Sequence, residues 1–226
     1  MAHACGVSVE GELGCLGSPE TGQAGEEDGV GADCVLSYEQ MLTDPDEAAD
    51  FVSQTGGRCS GHCLCYVPWR LQVQSPTHRR YLAIDRIKQI HRKIPNTHLV
   101  MHGSSSVPQD WLAIINQYGG EIPETYGVPV EQICEGIKHG VRKVNIDTDL
   151  RLASTGTIRQ FLAKNPTAFD PRAYSKETIT AMKDIAVARY EAFGTAGNAA
   201  KIVPLGLSVM SNRYSDAGLS FQINSC

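Results

Sequence analysis

Residues 97–106 read THLVMHGSSS and residues 141–149 read VRKVNIDTD. In each, a short apolar stretch runs directly into a polar cluster. Leu99, Val100 and Met101 make an unbroken apolar triplet, which predicts a short buried strand. Val144 and Ile146 alternate with Asn145 and Asp147, which predicts a second strand over 141–146. Helical patterns lie on either side. Residues 82–93 place Ile84, Ile87 and Ile90 on one face and end at Pro95-Asn96. Residues 108–118 turn Trp111, Leu112 and Ile115 inward and stop at Gly119-Gly120. Further helices are expected at 130–139, closed by Gly140, and at about 151–163 and 175–193. Upstream, Asp44 is placed as an N-cap before Pro45, with Glu47 reaching back, for a helix that stops at Gly56-Gly57. Residues 6–14 begin as a strand, with Val7 and Val9 alternating.

Short strands joined through helices imply parallel β/α units. The rhythm fails once. A strand is due between the helices at 44–54 and 82–93, yet residues 57–81 show no clean alternation and carry a proline in their most apolar run.

The chain has 226 residues, enough for one domain with a real core. A complete eight-stranded barrel needs about 250 residues, so it would be tight. A net charge of -5 argues against a general nucleic-acid role, which favours a basic surface. No apolar run approaches a membrane span, and the first residues lack a signal-peptide pattern, so a cytoplasmic location without membrane attachment is expected. Eight cysteines without an export signal or regular framework read as free thiols.

In parallel β/α folds chemistry gathers at the carboxyl ends of strands. The first end gives Glu10 and Glu12, two carboxylates on one side of a strand. They are either a metal site or a solvated strand end, and alone the second is the better reading. Glu26, Glu27 and Asp28 lie in a Gly-flanked loop, where a mobile carboxylate would suit a base. An ordinary acidic surface loop is the competing reading. His102 ends the 98–101 strand, where an imidazole suits a divalent metal. Gly103, Ser104 and Ser105 follow just before a helix, an arrangement suited to phosphate. A satisfied core histidine and a plain serine turn are the alternatives. Asn145, Ile146, Asp147 and Thr148 end the last strand, where polar groups need partners such as substrate hydroxyls. Otherwise Thr148 or Asp149 caps the next helix. Cys59, His62, Cys63 and Cys65 crowd together, but their spacing fits no common zinc site.

The strings VSVEGELG, GQAGEEDGVGA, NTHLVMHGSSSVPQ and RKVNIDTDLR resemble class II, zinc-dependent fructose-1,6-bisphosphate aldolases, closest to the long-loop, Calvin-cycle type of autotrophic and other bacteria. The resemblance covers residues 1–56 and 82 to about 205. It implies an α/β fold, the C-terminal half of a (β/α)₈ TIM barrel, with strands 5, 7 and 8 recognisable and strand 6 garbled. It implies reversible cleavage of fructose 1,6-bisphosphate to dihydroxyacetone phosphate and glyceraldehyde 3-phosphate, with Zn²⁺ at one of two divalent metal positions. His102 matches a zinc ligand and Glu12 a carboxylate of the second position. Gly103, Ser104 and Ser105 match a phosphate loop. Asn145, Ile146, Asp147 and Thr148 match residues that hold ketose hydroxyls and phosphate, Glu27 the loop base, and Arg189 an arginine reaching a neighbouring subunit's substrate. A homodimer or higher homo-oligomer follows from that last match. A relative acting on tagatose bisphosphate is the neighbouring alternative, and glycolysis, gluconeogenesis and carbon fixation all stay open.

Two departures from the family pattern are expected to matter. Met1 falls where the family has an internal methionine, so strands 1–4 are expected to be absent, and with them the Asp-His pair that supplies the general acid and one zinc ligand. The family also has Ser-His-Gly-Ala-Tyr-Lys-Phe where this chain has Val67–Gln74. A back-translation of that stretch, read one base later with suitable synonymous codons, yields the family string. The single Trp codon constrains its His and Gly. Residues 57–81 are therefore read as out of frame, with the ligand His falling at Pro68, and residues 213–226 as a divergent tail. On this reading the chain as written is a non-catalytic, aggregation-prone fragment of one partial barrel domain, 1–226.

Overall fold

The computed structural model describes residues 9–11, 13, 42–56, 63–67, 72–74 and 80–216. Among these, β1 (Val9–Gly11), β2 (Cys63–Val67), β5 (His98–Met101) and β6 (Val141–Val144) form one sheet in the order β1-β2-β5-β6. Every pairing in it is parallel. A separate antiparallel pair joins β3 (Gln72–Gln74) to β4 (Arg80–Leu82). Helices α1 (Pro45–Gly56), α2 (Ile84–Lys93), α3 (Gln109–Gln117), α4 (Val130–Lys138), α5 (Thr148–Lys164), α6 (Pro171–Ala192) and α7 (Leu207–Asp216) complete the described elements. The fold is thus mixed α/β with a small parallel sheet. The described strands do not close into a barrel, and β1 and β6 form the edges. None of the described helices is long and apolar enough to cross a membrane.

The strand that the sequence pattern does not reveal is β2. It sits between β1 and β5, at the place where the β/α rhythm requires one. The physical reason is its central position. A strand flanked on both sides in a parallel sheet needs no polar–apolar alternation, only a short run that suits an extended chain, and Cys63-Leu64-Cys65-Tyr66-Val67 is such a run. The helix expected from residue 82 starts instead at Ile84, because Leu82 is spent on β4, where its N–H donates to Gln132 Oε1 at 2.6 Å.

The core lies where α1, α2 and α4 meet the sheet. Ile87, Ile90, Leu99 and Ile133 are fully buried there, with Met101, Val128 and Val141 beside them. Each such side chain contributes about 1.5–3 kcal/mol of transfer free energy. A second cluster of Val107, Leu112, Ile115 and Leu152 joins α3 to α5. Gly156 permits this contact, since a Cβ there would meet Trp111 at 2.8 Å.

Helix α1 begins with the expected Asp44 cap, while among the described residues the Glu47 side chain makes no bond back to it. Asp44 Oδ1 accepts from the N–H of Asp46 at 2.7 Å and of Glu47 at 3.2 Å. These two bonds, Glu47's the larger influence, hold the Asp44 carboxyl below its ordinary 3.8. A depressed carboxylate stabilises the fold fully above pH 3.8, and that contribution disappears as pH falls through the lowered folded-state value. We expect Asp44→Ala to cost about 0.5–2 kcal/mol in urea unfolding at pH 7. The difference from the parent should shrink as pH falls below the Asp44 titration, and a difference constant to acid pH would contradict the cap.

Candidate functional site

Parallel pairing brings the carboxyl ends of β1, β5 and β6 to one edge of the sheet. His102, one residue beyond β5, places its Nε2 2.9 Å from Glu10 Oε1 of β1 and 2.7 Å from the side-chain amide nitrogen of Asn145, just beyond β6. Lys143 of β6 completes the group, its Nζ 2.5 Å from Glu10 Oε2. Burial, the largest single influence, pushes the Glu10 carboxyl up. Hydrogen bonds and charge from Lys143 and His102 outweigh it and leave the carboxyl below its ordinary range. Nε2 offers one proton or one lone pair, so with the amide nitrogen facing it, it can serve only one of its two partners. Turning the Asn145 amide over, so that both neighbours accept from Nε2–H, satisfies all three groups.

Beside this group, residues 103–107 form a tight loop before α3. Gly103 takes φ 58°, a left-handed conformation that suits glycine. Ser104 is fully buried and its hydroxyl donates to the His102 carbonyl at 3.1 Å. Ser105 Oγ accepts from the N–H of Asp147 at 3.3 Å. Ser106 Oγ donates to Asp149 Oδ2 at 3.0 Å. The serine hydroxyls are therefore engaged within the fold. The backbone N–H groups of Ser104 and Ser105, by contrast, meet no acceptor among the described residues. Ser104 is fully buried, so an anion reaches its N–H only where the cover over the loop moves aside; once there it supplies the acceptor that the two N–H groups lack. The loop is braced from behind: the N–H of Val128 donates to the Ser105 carbonyl at 3.0 Å, and Gly127 lies so close that a Cβ there would stand 2.0 Å from that oxygen.

The remaining sequence-derived candidates fall as follows. Glu12 and Glu27, together with Cys59, His62 and Pro68, lie outside the described residues, as do the side chains of Cys63 and Cys65. Thr148 opens α5. Ile146 lines a cavity of about 420 Å³ with Val144, Ile185, Tyr190 and Phe193. The Asp147 side chain turns to Arg151 at 2.6 Å and is largely exposed. Arg189 of α6 is mostly buried, its guanidinium 3.0 Å from Asp149 Oδ2 and bonded to Ser106 Oγ. Neither Thr148 nor Asp149 caps α5. The N-cap is Asp147, without a side-chain cap bond, and Asp149 faces the 103–107 loop instead. Sequence reading missed Lys143, the brace at Gly127 and this role of Asp149. Their partners are distant in sequence, and only the adjacent cations Arg142 and Lys143 within a short strand hint at the first.

The sequence profile described as fructose-bisphosphate aldolase class-II matches residues 1–198. The chain belongs to this family. It is 66% identical over 224 residues to the fructose-bisphosphate aldolases of Stutzerimonas stutzeri and Pseudomonas aeruginosa, covering 99% of this chain and 63% of each relative. With that of Nostoc commune it shares 54% over 220 residues, covering 97% of this chain and 61% of the relative. The chain thus spans less than two thirds of the length of these aldolases. Among solved structures, the YdjI aldolase from Escherichia coli K12 aligns with a TM-score of 0.48 and 23% identity, covering 87% of this chain and 53% of that one.

Class II aldolases are zinc enzymes, and a catalytic zinc takes three protein ligands. Among the described residues no three His, Cys, Asp or Glu side chains converge. His102 and Glu10 are suitable in type but are only two, and Lys143 competes for the carboxylate. The described residues by themselves do not fit the ion.

The Gly127 brace makes a prediction. Gly127→Ala should lower stability by about 1–3 kcal/mol in urea unfolding, because a methyl group cannot pass the Ser105 carbonyl. Gly206→Ala, in open space, should leave it unchanged within error. Equal effects would contradict the packing described here.

Proposed function

We propose that this chain carries the phosphate-binding side of a zinc-dependent fructose-bisphosphate aldolase site, set on the C-terminal half of a (β/α)₈ barrel. One observation carries the reading: the N–H groups of Ser104 and Ser105, without an acceptor among the described residues, lie beside His102, Glu10 and Asn145 at one edge of a parallel sheet. Membership of the aldolase family supports it.

In this reading the Gly103–Ser105 loop, through the N–H groups of Ser104 and Ser105, holds one phosphate of fructose 1,6-bisphosphate. Asn145 turns its amide to a ketose hydroxyl, with Ile146, Asp147 and Thr148 shaping the strand end around it. Lys143 keeps Glu10 charged beside His102. The reaction breaks the bond between the third and fourth carbons of the ketose and yields two triose phosphates. Zinc would bind through His102 with ligands beyond the described residues. Glu12 is assigned to a second metal position and Glu27 to proton removal; the Arg189 guanidinium, bonded to Asp149 and Ser106 of its own chain, would have to leave them to reach a neighbouring copy's substrate in a homo-oligomer.

A second reading, a chain that binds the sugar phosphate without cleaving it, is favoured by the single imidazole that the described residues bring to this edge. One experiment separates the two. The purified chain, with and without added zinc, is given fructose 1,6-bisphosphate, and triose phosphate release and ligand binding are followed together. Zinc-dependent release that falls below detection in His102→Ala supports the aldolase reading. Saturable binding without release supports the second, and absence of both sinks the site assignment. Tagatose bisphosphate in the same assay tests the neighbouring substrate.

A further inference from the structure

We infer that Asp149 is a positioning residue that holds the 103–107 loop in its anion-binding shape by locking Val107 into a left-handed backbone conformation. The inference rests on the reading of that loop as a phosphate site. Val107 has φ 53° and is the one described non-glycine residue with positive φ. For a β-branched residue this region is strained, and such strain persists only where surrounding contacts over-determine it.

The contacts here come from one carboxylate. The N–H of Val107 donates to Asp149 Oδ1 at 2.8 Å. The N–H and hydroxyl of Ser106 donate to Oδ2 at 3.2 and 3.0 Å. The Val107 N–H bond fixes the peptide plane that precedes its Cα, one of the two that set its torsions, and the Ser106 N–H bond fixes the plane before that one. Asp149 is fully buried, and Arg189, itself mostly buried, balances its charge from α6. Two residues earlier, the N–H of Asp147 holds Ser105 Oγ. The start of α5 therefore grips the loop at both Ser105 and Val107, on either side of Ser106. Asp149 is buried behind the loop and carries the same sign of charge as a phosphate, so it acts through loop shape rather than by touching the ligand.

A buried ion pair that only stabilises the fold predicts something different. Glycine adopts positive φ freely. If Asp149 works by holding Val107, replacing Val107 with glycine removes the need for the lock. The same change also removes a buried side chain from the cluster with Leu112, Ile115 and Leu152, so it lowers thermal stability. Binding and stability must then move in opposite directions.

The test titrates the full chain and its variants with inorganic phosphate by calorimetry and records each Tm. The parent should bind saturably. Asp149→Ala should bind about tenfold more weakly. Adding Val107→Gly to Asp149→Ala should return affinity to within about threefold of the parent while Tm falls further. If the alanine variant does not fold, Asp149→Leu, close to aspartate in size but with no acceptor for the Val107 N–H, serves the same cycle. Affinity unchanged in Asp149→Ala, or a double variant that binds no better than the single one, overturns the inference. A parent chain that binds no phosphate instead overturns the reading of the loop itself.

Discussion

Parallel pairing in the order β1-β2-β5-β6 is the constraint on which everything else depends. It sends the carboxyl ends of all four strands to one edge of the sheet. Residues more than a hundred positions apart, Glu10 and Lys143 among them, meet there in a single ion pair. The same constraint demands crossover helices, and α2 and α4 supply both the covering layer and the buried isoleucines that hold it. The polar cluster at the strand ends is costly in isolation, and it is stable here because each group finds a partner across a strand boundary.

A second dependence runs through α5. Its first turn spends no side chain on capping its own helix. Asp147 instead holds the serine loop through its backbone N–H and Asp149 through its side-chain carboxylate, and Arg189 brings α6 to the same point. The loop therefore belongs mechanically to α5 and α6 as much as to β5. This arrangement explains why a strained valine is tolerated immediately after a run of small residues, and why the serine hydroxyls face inward while two backbone N–H groups find no acceptor among the described residues.

Much of this was legible in the sequence where the signal is local. The apolar triplet before His102, the alternation around Asn145 and the Asp44-Pro45 helix start each depend on neighbours within a few residues, and the structure places each element within about two residues of the expectation. Strand β2 was not legible, since a strand paired on both sides shows no alternation. Asp149 was read as an open helix-cap candidate because its true partners lie some forty residues upstream. Gly127 gave no sign at all, because a glycine required for close approach looks like any turn glycine in a sequence. The family strings reached further than periodicity could, since they tie residues to chemistry. They also set an expectation of three zinc ligands that the described residues do not complete.

The central claim is that the Ser104–Ser105 backbone, beside His102, is built to receive a phosphate of a ketose bisphosphate. A crystal structure of the chain with glycerol 3-phosphate tests it most directly. The account predicts the phosphate on the N–H groups of Ser104 and Ser105, with the glycerol carbons directed towards His102 and Asn145. A phosphate bound elsewhere, with this loop left empty at saturating ligand, would contradict it.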